Sequence, residues 1–169
     1  NIGGTSSLNG NVDATANDIA FGDSVTLTAD SVITAAGTIG VTGNVNGPFD
    51  LTLAGTGGSD VSGTIGGTIV DLTVNAGALV AGTIDITGNL SASQNVSTDT
   101  GAILVDGTLL TTSGADLVGA TGVNIGGTSS LNGNVDATAN DIAFGDSVTL
   151  TADSVITAAG TIGVTGNVN

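Results

Sequence analysis

Two pairs of aspartates are the strongest candidates for chemistry in this sequence. The interval between Asp30 and Asp50 is the same as the interval between Asp116 and Asp136. Carboxylate oxygens are the ligands that calcium prefers, and paired carboxylates can also act as acid and base on a glycosidic bond. A serine or threonine nucleophile would need a base, and the sequence contains no His and no Lys. The chemistry that this sequence leaves open is therefore that of aspartate pairs.

The charge of the chain excludes several classes of partner. All 15 charged side chains are aspartates, which gives a formal net charge of −15 over 169 residues. Proteins contact phosphate groups largely through Lys and Arg, so we expect no nucleic-acid partner. No apolar run approaches the roughly 18 residues that a membrane-spanning helix requires, so we expect no membrane insertion.

A long tandem repeat organises the sequence. Residues 1–46 are identical to residues 124–169, at an offset of 123. We therefore divide the chain into one full repeat unit, residues 1–123, and the start of the next identical unit, residues 124–169. Repeats of this kind build continuous stacked structures, so we expect no true domain boundary at residue 123.

A shorter period lies inside the unit. The chain has 29 Gly and none of the Glu, Lys and Arg that usually fill helix surfaces, so we expect no helices. Apolar residues instead come in short patches that alternate with polar residues, the pattern of short strands. One apolar patch recurs along the unit, and we call the stretch from one recurrence to the next a coil. The first patches of successive coils follow one another at intervals of 20, 26, 19, 19, 20 and 19 positions, and they begin at Ile19, Ile39, Ile65, Ile84, Ile103, Val123 and Ile142.

These patches predict the fold. Each step contains about three patches, and a single turn of about 20 residues cannot close a core unless the next turn stacks on it. We predict an all-β parallel β-helix (a β-solenoid) with three short strands per coil, about 19–20 residues per coil and six coils per 123-residue repeat. The 26-residue step is interpreted as one coil with about six extra residues, or as a register that slips there by one strand. The only proline, Pro48, should lie at a corner.

An antiparallel sandwich is the rival fold. Asn-Gly pairs such as Asn9-Gly10 and Asn46-Gly47 are typical of two-residue hairpins, and one immunoglobulin-like domain per 123 residues would also explain the long repeat. Such a domain does not require the shorter period, so the solenoid is favoured.

The predicted coil also gives each aspartate pair a defined position in two adjacent coils. Asp30 and Asp50 lie at the same offset from the first patch of their coils, and Asp116 and Asp136 share a second offset from theirs. Equal offsets in adjacent coils would hold the two carboxylates roughly 5 Å apart. Calcium at Asp30, Asp50, Asp116 and Asp136 is thus the metal prediction, and solvated surface aspartate is the alternative. No other cofactor is predicted. Asn89 and Asn95 also begin matches to the N-glycosylation sequon.

The segments DSVTLTADSVITAAGTIGVTGN (residues 23–44) and GTIDITGNLSAS (residues 82–93) resemble the repeats of filamentous-haemagglutinin-like adhesins and other giant bacterial β-strand-repeat surface proteins. The resemblance covers the whole chain. It implies a right-handed parallel β-helix (β-solenoid) that is secreted and forms a stalk or fibre on the cell surface, with copies of itself as partners end to end or side by side. We expect a structural protein and not an enzyme. An adhesin module that recognises glycans or cells is the first alternative, and a polysaccharide-acting β-helix enzyme is the second.

Overall fold

The computed structural model describes all 169 residues, and they form one parallel β-solenoid of about eight coils. Every strand pairs in parallel with a strand of the coil before it or the coil after it. The predicted all-β solenoid is confirmed, and the antiparallel sandwich is wrong. The structure has no helix, so it has none that is long and apolar enough to cross a membrane.

Each coil contributes one strand to each of three faces, which we call face A, face B and face C in the order in which the chain passes through them. Face A consists of β3 (Ile19–Phe21), β6 (Ile39–Val41), the start of β9 (Ser59–Gly66), the start of β11 (Leu79–Ile86), β13 (Val96–Thr98), β16 (Leu117–Gly119), β19 (Val135–Ala137) and β22 (Ile156–Ala158). Face B consists of β1 (Ser6–Leu8), β4 (Val25–Leu27), β7 (Val45–Asn46), the ends of β9 and β11, β14 (Ile103–Val105), β17 (Val123–Ile125), β20 (Ile142–Phe144) and β23 (Ile162–Val164). Face C consists of β2 (Val12–Ala14), β5 (Ser31–Ala35), β8 (Leu51–Gly55), β10 (Leu72–Ala76), β12 (Leu90–Ala92), β15 (Leu109–Thr111), β18 (Ser129–Leu131) and β21 (Val148–Leu150).

Most strands are three residues long because the sequence supplies one apolar, one outward and one apolar residue before each bend. In β14, for example, Ile103 and Val105 are buried while Leu104 between them points outward and is partly exposed. The inward residues of all three faces meet in one continuous cluster of 37 buried hydrophobic residues. β9 and β11 are longer because each continues around the corner from face A to face B. The core is therefore a single column with no break between the repeat units.

The 26-residue step is a change of face, not a coil with an insertion. Ile39 pairs with Ser59 in the next coil of face A, and Ile65 pairs with Val45 on face B. Ile65 and the later coil starts therefore belong to a different face from Ile19 and Ile39. The interpretation as an inserted loop is wrong, and the one-strand slip is correct. The error arose because the residue that continues face A above Ile39 is a buried serine, which a search for apolar residues passes over.

Coil length is less regular than the sequence suggested. Along face A the coil from Leu79 to Val96 is the shortest, and the next coil, from Val96 to Leu117, is longer than the average. From Ile19 to Val135 the chain completes six coils, and their mean length is close to the predicted one. The rest of the 123-residue offset carries the chain from Val135 on to Ile142, on face B. The unit thus holds the predicted six complete coils and one strand more.

The corners contain the bends that the turn residues predicted. Pro48 lies in a bend between β7 and β8, as expected for a residue that cannot donate to a ladder. Gly47 beside it has a φ of +132°, a conformation that side chains disfavour. The one non-glycine residue with a positive φ is Ser113, at 58°, in the turn between face C and face A.

Candidate functional site

The polar residues at the corners form a regular series of side-chain hydrogen bonds along the solenoid. We call the residue immediately before the first inward residue of a strand a corner residue. At many corners this residue is Asp, Asn or Ser, and its side-chain oxygen accepts a hydrogen bond from the backbone N–H of the corner residue one coil above. We call each such column of side chains a corner ladder. A ladder is needed because the chain bends at the corner, so the N–H groups there need an acceptor outside the strand pairing.

The longest corner ladder precedes face C. The N–H of Asp50 donates to Asp30 Oδ1 over 3.1 Å, and the N–H of Asp71 donates to Asp50 Oδ1 over 3.3 Å. The N–H of Asn89 then donates to Asp71 Oδ1 over 2.7 Å, and the N–H of Thr108 donates to Asn89 Oδ1 over 2.9 Å. Four successive links thus join five coils through carboxylate and amide oxygens.

Shorter ladders precede the other two faces. Before face A, the N–H of Asn134 donates to Asp116 Oδ1 over 2.7 Å, and the N–H of Asp116 donates to Asn95 Oδ1 over 3.0 Å. Before face B, the N–H of Thr64 donates to Asn44 Oδ1 over 2.8 Å, and the N–H of Asn44 donates to Ser24 Oγ over 3.1 Å. Each corner of the solenoid therefore uses the same chemistry.

Of the predicted metal ligands, Asp30 and Asp50 do come together. They are corner residues of adjacent coils, in line with Asp71, as equal offsets predicted. Each side chain nevertheless accepts a backbone N–H from the coil above, so successive carboxylates follow one another along the axis instead of converging on one point. Nowhere in the chain are three or more aspartates grouped so that they could hold a metal ion.

The predicted stacking of Asp116 and Asp136 is wrong. Asp116 is a corner residue below Asn134, whereas Asp136 lies in the middle of β19 and is in register with Val118. The two positions differ because the segment from Leu109 to Leu117 is two residues longer than the segment between their partners in the next coil, Ser129 and Val135. The turn that contains Ser113 accommodates the extra residues and moves Asp116 to the corner.

The electrostatic effect of the ladders is clearest at Asp18 and Asp141. The N–H of Thr38 donates to Asp18 Oδ1 over 2.6 Å, and the N–H of Thr161 donates to Asp141 Oδ1 over 2.7 Å. These backbone hydrogen bonds, together with a smaller contribution from the threonine side chains, lower the pKa of both carboxyl groups below the ordinary aspartate value. The charged form is favoured without any cation.

Glycines make room for the ladder oxygens. A Cβ atom at Gly37 would collide with Asp18 Oδ1, and one at Gly88 would collide with Asp71 Oδ1. Each of these glycines directly precedes a corner residue whose N–H is bonded to that oxygen. The Gly-Thr and Gly-Asn pairs before the apolar patches were therefore the sequence signal for the ladders, and they point to Asp18, Asn44, Asp71 and Asp141, which the search for equal offsets missed.

The ladders also account for the sequon asparagines. Asn89 and Asn95 are both corner residues, and each Oδ1 accepts a backbone N–H from the coil above. The chemistry that this arrangement performs is structural, because it pairs N–H groups that the bends would otherwise leave without an acceptor.

No known family model, curated protein or solved structure matches this chain.

Proposed function

We propose that the chain is a structural segment of an extracellular, cell-surface filament or stalk built from tandem β-solenoid repeats, with a mechanical and protective role and no enzymatic activity. The observation that carries this proposal is the continuity of the column. The backbone pairing and the buried cluster pass through the repeat junction at residues 123 and 124 without interruption, since β17 (Val123–Ile125) pairs with β14 below and β20 above.

The aspartates support the same function through their positions. The corner ladders use carboxylates to satisfy backbone N–H groups, which is a role in holding coils together. The net charge of −15 has no cation to oppose it, so neighbouring columns repel one another and stay dispersed in solution. Divalent cations would weaken that repulsion and let columns associate side by side.

End-to-end association of copies belongs to this proposal. Ile39 and Ile162 are the same residue of the repeat, yet Ile39 is fully buried while 47% of Ile162 is exposed, because a coil stacks on the first and not on the second. Val45 and Val168 differ in the same way, with 1% and 58% exposed. A coil of this chain is therefore a surface on which another coil stacks, so a following tandem copy can continue the same column.

Stretching single molecules between their two termini tests the mechanical role. A solenoid should unravel coil by coil, and each coil of about 20 residues should release roughly 65 Å of chain. A protein folded as one independent domain per repeat would instead release roughly 400 Å in one step. Release of a whole repeat in one step, or extension at negligible force, would contradict the proposed mechanical role.

The proposed location has a separate test. An antibody raised against the folded chain should label intact cells that produce the protein, without permeabilisation. Labelling only after permeabilisation would contradict the extracellular assignment and leave the mechanical result untouched.

The adhesin alternative predicts that the purified chain binds cells or glycans directly, and the enzyme alternative predicts glycan turnover that depends on Asp116 and Asp136.

A further inference from the structure

The two identical segments of the chain lie on different faces. Ile19–Phe21 is on face A and its copy, Ile142–Phe144, is on face B. Val25–Leu27 is on face B and Val148–Leu150 is on face C, while Val12–Ala14 is on face C and Val135–Ala137 is on face A. Every strand of the second copy is thus advanced by one face.

The same hydrogen bonds form after this change of face. Asn11 Oδ1 accepts the N–H of Val32 over 3.0 Å before face C, and its copy Asn134 accepts the N–H of Val155 over 2.8 Å before face A. Thr28 Oγ1 donates to the carbonyl of Leu8 over 2.9 Å, and Thr151 Oγ1 donates to the carbonyl of Leu131 over 2.9 Å. The three faces therefore accept the same sequence with the same contacts, because all are built from a corner residue followed by two inward apolar residues.

We infer that the 123-residue unit turns by one face each time it is repeated in tandem, so that a surface patch of the unit returns to the same side of the solenoid only at every third unit. The repeat offset contains six complete coils and one third of the next, so three units complete nineteen whole coils. With about 4.8 Å per coil, one unit rises roughly 30 Å and a given side repeats after roughly 91 Å.

This inference rests on the proposed function, because it describes a tandem filament. Its consequence is that the sides of a long filament carry the same patches, displaced along the axis by one unit. A partner that lies along one side, such as a neighbouring column of the same protein, meets a given patch once in three units. A column of this kind can be approached by like columns from all three sides, which favours bundles over flat sheets.

Distances between pairs of spin labels on the existing 169-residue chain test the change of face. Thr26, Asn124 and Ala143 point outward in one column of face B, and Ala143 lies six coils above Thr26. Thr149, the copy of Thr26, points outward from face C instead. The variants are Thr26→Cys combined with Asn124→Cys, Ala143→Cys or Thr149→Cys, each labelled with a nitroxide.

The expected order of distances is Asn124, then Ala143, then Thr149, with roughly 29 Å between Thr26 and Ala143. If the unit were a whole number of coils, Thr149 would stand directly above Thr26, and the Ala143 distance would equal or exceed the Thr149 distance. That order would overturn the inference. The Thr26–Asn124 pair fixes the axial scale, and far-UV circular dichroism identifies any variant that fails to fold. These distances do not depend on where the protein acts, so a failure of the proposed function leaves this test interpretable.

Discussion

Asp18 and Asp141 make the same hydrogen bond at two different corners of the solenoid. Asp18 precedes face A and binds the N–H of Thr38, and Asp141 precedes face B and binds the N–H of Thr161. A carboxylate that accepts a backbone N–H is a transferable unit, because it depends only on the coil directly above it. That property explains how one sequence fits any face, and it makes the contribution of the corners measurable.

Acid should weaken the fold through these two carboxylates. Hydrogen bonds from Thr38 and Thr161 lower the pKa of Asp18 and Asp141 in the folded protein, so these groups bind protons more readily when unfolded. Their contribution to stability is fully present above the unfolded pKa, near 3.8, and is lost as the pH falls through the lower folded pKa. Urea unfolding of the double variant Asp18→Asn and Asp141→Asn, measured from neutral pH to below the unfolded pKa, should show a smaller loss in acid than the natural sequence.

Protonation also relieves repulsion among the 15 aspartates, so a control of equal charge is needed. Asp60→Asn combined with Asp136→Asn removes two charges from the outward positions of face A. If both double variants changed the acid response equally, the hydrogen bonds at the corners would have no part in it.

Gly37→Ala should destabilise the fold. Its Cβ would occupy the position of Asp18 Oδ1 and break the bond to Thr38, so we expect a loss within the range of about 0.5–3 kcal/mol that is usual for a destabilising substitution. Gly163→Ala is the matched control, because a Cβ there meets nothing within 4 Å. Denaturant unfolding measures both changes, and an equal stability for the two variants would show that the glycine is not required by the ladder.

Ser59→Ala should stabilise the protein by about 1 kcal/mol, because removing a buried, unpaired hydroxyl removes its desolvation cost. The Ser59 side chain is 4% exposed, and its hydroxyl has no hydrogen-bond partner in the core column between Ile39 and Leu79. Ser62→Ala, at an exposed position nearby, should change the free energy of unfolding by less than about 0.5 kcal/mol. A loss of stability in Ser59→Ala would mean that the hydroxyl is satisfied in solution.

The pairing of Ile39 with Ser59 can be tested by proximity. Gly40 and Asp60 are outward neighbours in adjacent coils of face A. Pyrene attached to Gly40→Cys and Asp60→Cys should therefore give strong excimer emission. An inserted loop would instead bring Thr42 close to Thr68, so the pair Thr42→Cys and Thr68→Cys reports the opposite register. Excimer emission from the second pair and not from the first would contradict the observed coil.

Calcium binding at Asp30 and Asp50 stays a prediction with a direct measurement. If the stacked carboxylates hold calcium, titration calorimetry should give a saturable heat that Asp30→Asn with Asp50→Asn abolishes. The Asp60→Asn and Asp136→Asn variant carries the same net charge and should retain it. Equal heats in both variants would mean that calcium is attracted only by the overall charge.

Local patterning made much of this fold predictable. Alternation of apolar and polar residues fixes which side of a three-residue strand is buried, so β14 and β20 could be located from their Ile-x-Val and Ile-x-Phe patterns alone. The length of a coil follows from three such strands and their bends. The stacking of Asp50 above Asp30 was predictable for the same reason, because their two coils have the same number of residues between the first patch and the corner.

The face on which each strand lies was decided only in three dimensions. The three faces share one local pattern, so a shift of the coil register by one strand would leave every apolar residue buried. The sequence therefore shows no energetic penalty against that shift. Ser59 takes the place of an apolar residue on the inward side of face A, and the turn at Ser113 lengthens one coil, and neither change reveals from sequence alone which face a strand occupies. The sequence by itself determined that the chain winds and which residues face inward. Which coil stacks on which, and hence the one-face turn of each unit and the corner ladders, depends on contacts between residues a whole coil apart, and only the tertiary structure contains them.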